Sequence, residues 1–464
     1  MDDGLLFGVE ALSGDMITRE DAVNMAYNLK NFISLDMEIE EHEASGPLFY
    51  GSSGGYATAS SGGGGSAAAA TSGSYYDMYA PFNTEEYTQN DENIFKNALT
   101  SPLSTFSIDV DTASYSNVRR YILRGQLPPA GSVRTEEFIN YFDYDYPAPE
   151  EGEAFSVYSE VARCPWNQDN LLAMIAIKGE EIAPEEREPS NLVFLIDVSG
   201  SMTSANKLPL VKKSLDMLLD NLDERDTISV VTYANGTEIV LDSVSASNKE
   251  EIRDAIFSLD AYGGTGGYDG ITQAYELAEK NYKDGNNRII LCTDGDFNIG
   301  PSSTEELEEL VTEKREKGIF VSVLGFGMGN YKDNRMEILA DKRNGNYAYI
   351  DNLQEAKKVL ADEMIKTLYT IAKDVKIQVE FNPAHTSEYR LIGYENRLLN
   401  AEDFDNDAKD AGEFGAGATV TAFYEIVPAD GSESAEFRYR EINAIPSDEL
   451  MYLKLRYKEP NGEE

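Results

Sequence analysis

The sequence predicts an α/β protein: a doubly wound, mostly parallel sheet, flanked by a mainly antiparallel β domain built from segments before and after it. Three observations predict it. Between residues 190 and 369 apolar strands alternate with amphipathic helices. Those strands are apolar at nearly every position, as strands buried on both faces of a helix-covered parallel sheet are. On either side, at about 150–182 and 372–464, the texture is β with apolar and polar residues alternating, which suits antiparallel strands.

Residues 1–95 are expected to form a low-complexity tether. ITREDAVNMAYNLKNFISLDMEIEEH suits one amphipathic helix, but the tract GSSGGYATASSGGGGSAAAATSGS at 51–74 holds too few large side chains to offset its ordering entropy. In 96–185, LSTFSIDVDTASYSNVRRYILRGQLPPAG predicts a short strand, a turn, and a helix with Val118, Tyr121 and Ile122 on one face. VRTEEFINYFDYDYP predicts a second short helix that Pro147 stops. FSVYSEVARCPW and NLLAMIAIKGEEI follow as β segments.

In 190–369, NLVFLID is a strand. KLPLVKKSLDMLLDNL is a helix with Leu208, Val211, Leu215, Leu218 and Leu222 at helical spacing and Pro209 in its first turn. TISVVTYA, RIILCTDG, IFVSVLGFG and NYAYID read as strands. NKEEIRDAIFSL, YDGITQAYELAEKNY, STEELEELVTEKREKG, RMEILADKR and LQEAKKVLADEMIKTL read as helices. In 372–464, VKIQVEFN, EYRLIGYE, TVTAFYEIV and MYLKLRYKE read as strands of a β domain that stops just after its last strand.

Composition removes whole classes of function. The 464 residues carry 39 Lys plus Arg against 83 Asp plus Glu, a formal charge of −44. Such a chain repels a phosphate backbone, so no nucleic-acid partner is expected, nor a membrane held through a basic face. His42 and His385 are the only histidines, which leaves no HExxH zinc site and no material for most Ser–His–Asp arrangements. Cys164 and Cys292 are the only cysteines, so they form either one bridge or two buried thiols, and a four-cysteine zinc site is excluded. No run of about 18 apolar residues occurs, so no membrane-spanning helix is expected. The opening MDDGLLFGVEALSGD has neither a basic region nor an apolar core, which suits a cytosolic chain or a processed one.

The chemistry concentrates at strand ends. NLVFLI runs into Asp197-Val198-Ser199-Gly200-Ser201, where a carboxylate and two hydroxyls alternate along one loop. Gly263-Gly264-Thr265-Gly266-Gly267 precedes a helix and offers a hydroxyl amid glycines that admit close backbone approach. Thr293-Asp294-Gly295 ends the RIILC strand with a second carboxylate. In a doubly wound domain these loops share the carboxyl edge, where ligands bind. Asp197, Ser199, Ser201, Thr265 and Asp294 are all hard oxygen donors, suited to Mg²⁺, Mn²⁺ or Ca²⁺. With few anionic ligands and one position left open, such a cation stays electron-poor and attracts an incoming Asp or Glu carboxylate.

DxSxS after an apolar strand, then Thr in a Gly-rich loop, then TDG after another strand, resembles the metal-ion-dependent adhesion site (MIDAS) of von Willebrand factor type A (VWA) domains. The resemblance implies that Ser199, Ser201 and Thr265 bind metal directly while Asp197 and Asp294 act largely through water. The flanking LSTFSIDVDTASYSNVRRYILRGQLPP and YENRLLNAEDFDNDAKDAGEFGAGATVTAFYE are similar to segments of bacterial VWA proteins of the YfbK type. The MIDAS resemblance implies a non-enzymatic, metal-dependent protein-binding protein whose partner presents an acidic side chain. Such proteins are commonly exported or lipid-anchored, which would place this one at the cell surface or in the periplasm, reaching a membrane only through an anchor absent from this sequence.

Competing signals are weaker. FSIDVDTAS contains DxDxT, the opening of haloacid-dehalogenase-type phosphotransferases, in which Asp109 would be the Mg²⁺-dependent nucleophile and Asp111 the general acid. The alternative expectation is that Asp109 and Asp111 cap or pair with Arg119 and Arg120. A structural assembly role, with the MIDAS filled by the protein's own acidic loop, is a further alternative. Asp403, Asp405 and Asp407 alternate like the start of an EF-hand, but Ala408 and Phe414 stand where Gly and Glu are needed. Trp166 reads as a packing residue. Gly325-Phe326-Gly327-Met328-Gly329 lacks the spacing of a dinucleotide loop.

Overall fold

The computed structural model describes residues 85–88, 91–264, 266–295, 317–328, 346–363, 368–406, 411–429 and 447–460, together with 310, 313, 314, 333, 336, 366 and 409. The expected tether up to residue 84, the helices at 303–318 and 335–343, and Asp407 and His42 lie outside them, in whole or large part.

The segment before the α/β domain contributes β1 (Lys96–Asn97), β2 (Leu103–Ser107), α1 (Ala113–Ile122), α2 (Thr135–Asn140), β3 (Phe155–Arg163) and β4 (Leu171–Gly179). The α/β domain follows with β5 (Ser190–Asp197), α3 (Leu208–Asp220), β6 (Thr227–Tyr233), β7 (Thr237–Ser245), α4 (Lys249–Ser258), α5 (Gly267–Lys280), β8 (Asn286–Thr293), β9 (Ile319–Phe326), β10 (Tyr347–Ile350) and α6 (Leu353–Lys357). The last segment gives β11 (Thr370–Phe381), β12 (Thr386–Ile392), β13 (Leu398–Leu399), β14 (Gly412–Gly415), β15 (Thr419–Pro428) and β16 (Met451–Lys458).

The central sheet has six strands in the order β10-β9-β8-β5-β6-β7. All its pairs are parallel except β6 with β7. Every residue of β5 is buried because both faces are covered. Leu192, Phe194 and Ile196 point into one core with Leu208, Val211, Leu215 and Leu218 of α3. Val193 and Leu195 point into the other with Ile271, Ala274 and Tyr275 of α5. The chain steps from β5 to β6 on one side and later returns to β8 on the other. The carboxyl end of β5 is therefore the topological switch point, where the two flanking connections diverge and leave a crevice.

The flanking strands make a sandwich. One sheet runs β1-β12-β15-β4-β3; the second runs β13-β2-β11-β14, with β16 also on β11. β4, from before the α/β domain, pairs antiparallel along β15, from after it, so both segments build one sheet. Phe106, Ile175, Ile177, Val379, Phe381, Tyr389 and Tyr424 fill the core between the sheets.

Entry to and exit from the α/β domain are bolted together. The buried Arg187 guanidinium donates to both oxygens of buried Asp226 at 2.8 and 2.6 Å and to the Tyr369 hydroxyl at 2.7 Å. Ser190 lies 2.7 Å from the same hydroxyl. The segment before the domain also wraps it. Ala113 of α1 is buried among the core residues of the β10 side. Arg119 of α1 donates to Asp351 and Glu355 at 2.5 and 2.8 Å, and Asp111 accepts the Tyr347 amide of β10 at 2.7 Å.

Candidate metal centre

Asp197 is the last residue of β5 and is fully buried. One of its oxygens accepts the Ser199 amide at 2.8 Å, turning the chain sharply after the strand. The other accepts the Tyr233 hydroxyl at 3.2 Å and lies 3.4 Å from the Thr293 hydroxyl. Burial and the nearby Asp294 charge push the Asp197 carboxyl up to about 6, against the lowering effect of the Ser199 bonds. The turn leaves the Ser199 and Ser201 hydroxyl oxygens 3.0 Å apart. Ser199 is buried and Ser201 exposed, so the pair faces outward from the strand end. Met202, fully buried two residues after Gly200, anchors the loop.

The Gly-rich loop is stitched to this turn. The Gly200 amide donates to the Gly263 carbonyl at 3.0 Å, and the Tyr262 amide to the Val198 carbonyl at 2.7 Å. The Gly264 amide is held by the Asn235 side chain at 2.6 Å. Gly263 has φ +79 and a Cβ there would collide with Asn235, so this position needs glycine. Thr265 itself lies outside the described residues, but Gly264 and Gly266 on either side of it are placed, and Gly267 opens α5.

The third loop leaves β8, the neighbour of β5, with Ile196 opposite Cys292. Thr293 is therefore level with Asp197, and Asp294 is one step beyond. Asp294 is fully buried and accepts Lys207 Nζ at 2.7 Å. The Gly295 amide donates to the Thr293 hydroxyl at 3.1 Å, and Gly295 turns the chain at φ +92.

The structure thus brings Asp197, Ser199, Ser201 and Asp294 to one edge and sets the Thr265 loop beside them. Among the described residues no three His, Cys, Asp or Glu side chains converge as a protein-only metal cage requires. The donor set is two carboxylates with hydroxyls, which fits a hard cation that keeps several waters. Lys207 balances Asp294, while the buried Asp197 carboxyl beside it is met by neutral donors, the Ser199 amide and the Tyr233 hydroxyl.

Sequence reasoning missed Tyr233 and Lys207. Tyr233 ends β6 next to β5, so adjacency of strand ends was its only signal. Lys207 immediately precedes α3 in an otherwise apolar KLPL and reaches the site across the sheet edge, which no local spacing reveals.

The residues of the weaker signals have partners within the fold. Asp109 and Asp111 are buried and pair with Arg397 at 3.1 and 3.3 Å, not with Arg119 or Arg120. Arg120 instead meets Glu85, and Arg119 meets β10's following loop. The two arginines lie on α1, where Arg119 reaches Asp351 and Arg120 reaches Glu85, while Asp109 and Asp111 lie before the helix beside Arg397 of the last segment. Asp111 already accepts the β10 amide, so this motif is a joint. Cys164 and Cys292 are both free and buried in separate cores. Asp403 caps a short turn through Asn400, and Asp405 lies 3.4 Å from Arg456. Trp166 packs half-buried and donates to Glu425 at 3.0 Å. Gly327 accepts the Tyr349 hydroxyl and contacts Lys207.

Comparison with known proteins identifies the family. The von Willebrand factor type A domain family matches residues 191–362, a von Willebrand factor family residues 81–174, and the family described as uncharacterized protein YfbK, C-terminal, residues 366–464. The chain is 46% identical over 395 residues to the uncharacterized protein YfbK of Escherichia coli (strain K12), a match spanning 82% of this chain and 68% of YfbK. It is 30% identical over 166 residues to inter-alpha-trypsin inhibitor heavy chain H3 of Mesocricetus auratus, covering 34% of this chain and 18% of that protein. The solved structure of a von Willebrand factor type A protein from Catenulispora acidiphila is 16% identical, covers 68% of this chain and 72% of its own, and superposes with a TM-score of 0.43. With a VWA domain at its centre, a YfbK-type C-terminal domain and near-half identity to YfbK along most of its length, the chain belongs to the YfbK-like family of VWA proteins.

Proposed function

We propose that this chain is a divalent-metal-dependent protein-binding protein without enzymatic activity. Ser199, Ser201 and Thr265 hold Mg²⁺, Mn²⁺ or Ca²⁺ directly, Asp197 and Asp294 act largely through water, and a partner's Asp or Glu carboxylate completes the coordination. The observation that carries the reading is the pair of backbone bonds, Gly200 to Gly263 and Tyr262 to Val198, which hold two hydroxyl-bearing loops together beside a buried carboxylate. VWA proteins commonly bind other proteins through such a site. Tyr262, 59% exposed, stands on the rim beside these loops and supplies an aromatic contact for the docked partner.

Among the described residues no helix is long and apolar enough to cross a membrane. The family resemblance favours a surface or periplasmic setting, with 1–95 as the spacer. The test is a pull-down from native membranes in Mg²⁺ against chelator, with Ser199→Ala as control. Capture that needs Mg²⁺ and vanishes in the variant supports the reading. Capture indifferent to both overturns it.

A further inference from the structure

The metal-site carboxylate Asp294 already carries a cation of the protein's own. Lys207 Nζ sits 2.7 Å from Asp294 Oδ2, with the lysine side chain 7% and the aspartate 0% exposed. This lysine is guided there. Its amide is held by the Ser204 carbonyl at 2.9 Å, and its carbonyl accepts the Leu210 and Val211 amides at 2.8 and 2.9 Å, which fixes it at the head of α3. Its stem runs through a gap left by Gly327, where φ is +79 and an added Cβ would drive into Cγ, Cδ and Cε of Lys207. The Gly327 carbonyl accepts the Tyr349 hydroxyl, which helps hold that turn in place.

We propose that Lys207 is a fixed counter-cation that couples the two ligands of the site. This rests on the metal reading above. One positive charge held on Asp294 repels an arriving divalent ion in surroundings that screen poorly, so the metal alone binds weakly. The same charge leaves the loaded site more positive, so an incoming carboxylate binds it more strongly. Because the carboxylate binds through the metal, a given concentration of it then draws the metal in more strongly. The site consequently fills when metal and acidic partner arrive together, and Lys207 is a positioning residue for charge and not itself a ligand.

The test titrates Mn²⁺ into the whole chain, following the free-ion electron paramagnetic resonance signal with and without acetate as the carboxylate probe. Wild type is expected to bind Mn²⁺ weakly and more tightly in acetate. Lys207→Met, which keeps the stem, is expected to bind Mn²⁺ alone about ten-fold tighter and to lose most of the acetate effect. Lys207→Gln, polar enough to hydrogen-bond Asp294, serves if the first variant fails to fold. A merely structural lysine would give weaker Mn²⁺ binding in both variants. Equal or weaker binding in a folded variant overturns the coupling and leaves the metal reading intact. Binding in the variant but not in wild type supports the coupling. No binding in either overturns the metal reading and the coupling with it.

Discussion

Asp197 combines full burial, a carboxyl raised to about 6, and a position at the last residue of the central strand. Its folded value lies above its unfolded one, so this one group's contribution to the stability of the metal-free protein is greatest below about pH 4. That contribution is lost as pH rises through about 6, at roughly 1.4 kcal/mol per unit. Asp197→Asn is therefore expected to raise the melting temperature in chelator at pH 7, to flatten its dependence between pH 4 and 6, and to abolish metal uptake. Melting curves in chelator and Mn²⁺ titrations check both parts, and a variant melting lower at pH 7 would contradict the first. The DxSxS and TDG signals were legible because carboxylate and hydroxyls lie in short stretches at strand ends. Tyr233 and Lys207 were not, since their proximity exists only once β5, β6, β8 and α3 are assembled.

At the scale of elements, legibility followed hydrophobic pattern. α3 was readable because its apolar residues repeat at helical spacing, and Leu208, Val211, Leu215 and Leu218 are all buried. β7, β13 and β14 went unassigned. β7 is an edge strand with mostly exposed or half-buried residues, β13 has two residues, and β14 is only Gly-Glu-Phe-Gly, buried but without an apolar run to read. The short helix α2 was legible, but its docking was not. Glu136, buried in its first turn, accepts the Tyr394 amide at 3.0 Å, and burial pushes its carboxyl up to about 8, with Glu395 and Asp109 adding to the effect. Its ionisation therefore costs stability as pH rises from about 4.5 through 8. Glu136→Gln keeps an acceptor for Tyr394 and is expected to melt higher than wild type at pH 8 and nearly equal at pH 5. The opposite order would show that the charge is needed.

Across the whole molecule, the VWA domain is an insertion held from several sides. β4 and β15 join the segments on either side of it into one sheet, and Arg187, Asp226 and Tyr369 close the neck. Breaking a buried pair by removing one partner strands the other charge, at a cost of about 3–5 kcal/mol. Arg187→Ala is expected to lower stability by that order and to split a single unfolding transition into two, followed by calorimetry. One transition at the wild-type temperature would show that the neck does not couple the domains. The sandwich was foreseeable as β texture before and after the α/β core. Which strand pairs with which depends on contacts far apart in the chain that periodicity does not encode. The central claim concerns the sheet edge where β5 and β8 end. The most direct measurement is a crystal grown with Mn²⁺ and examined for anomalous scattering. The account predicts one peak bounded by Ser199, Ser201 and Thr265, with Asp197 and Asp294 in reach through water and one coordination position taken by solvent or an outside carboxylate. A peak elsewhere, or none at saturating Mn²⁺, would contradict it.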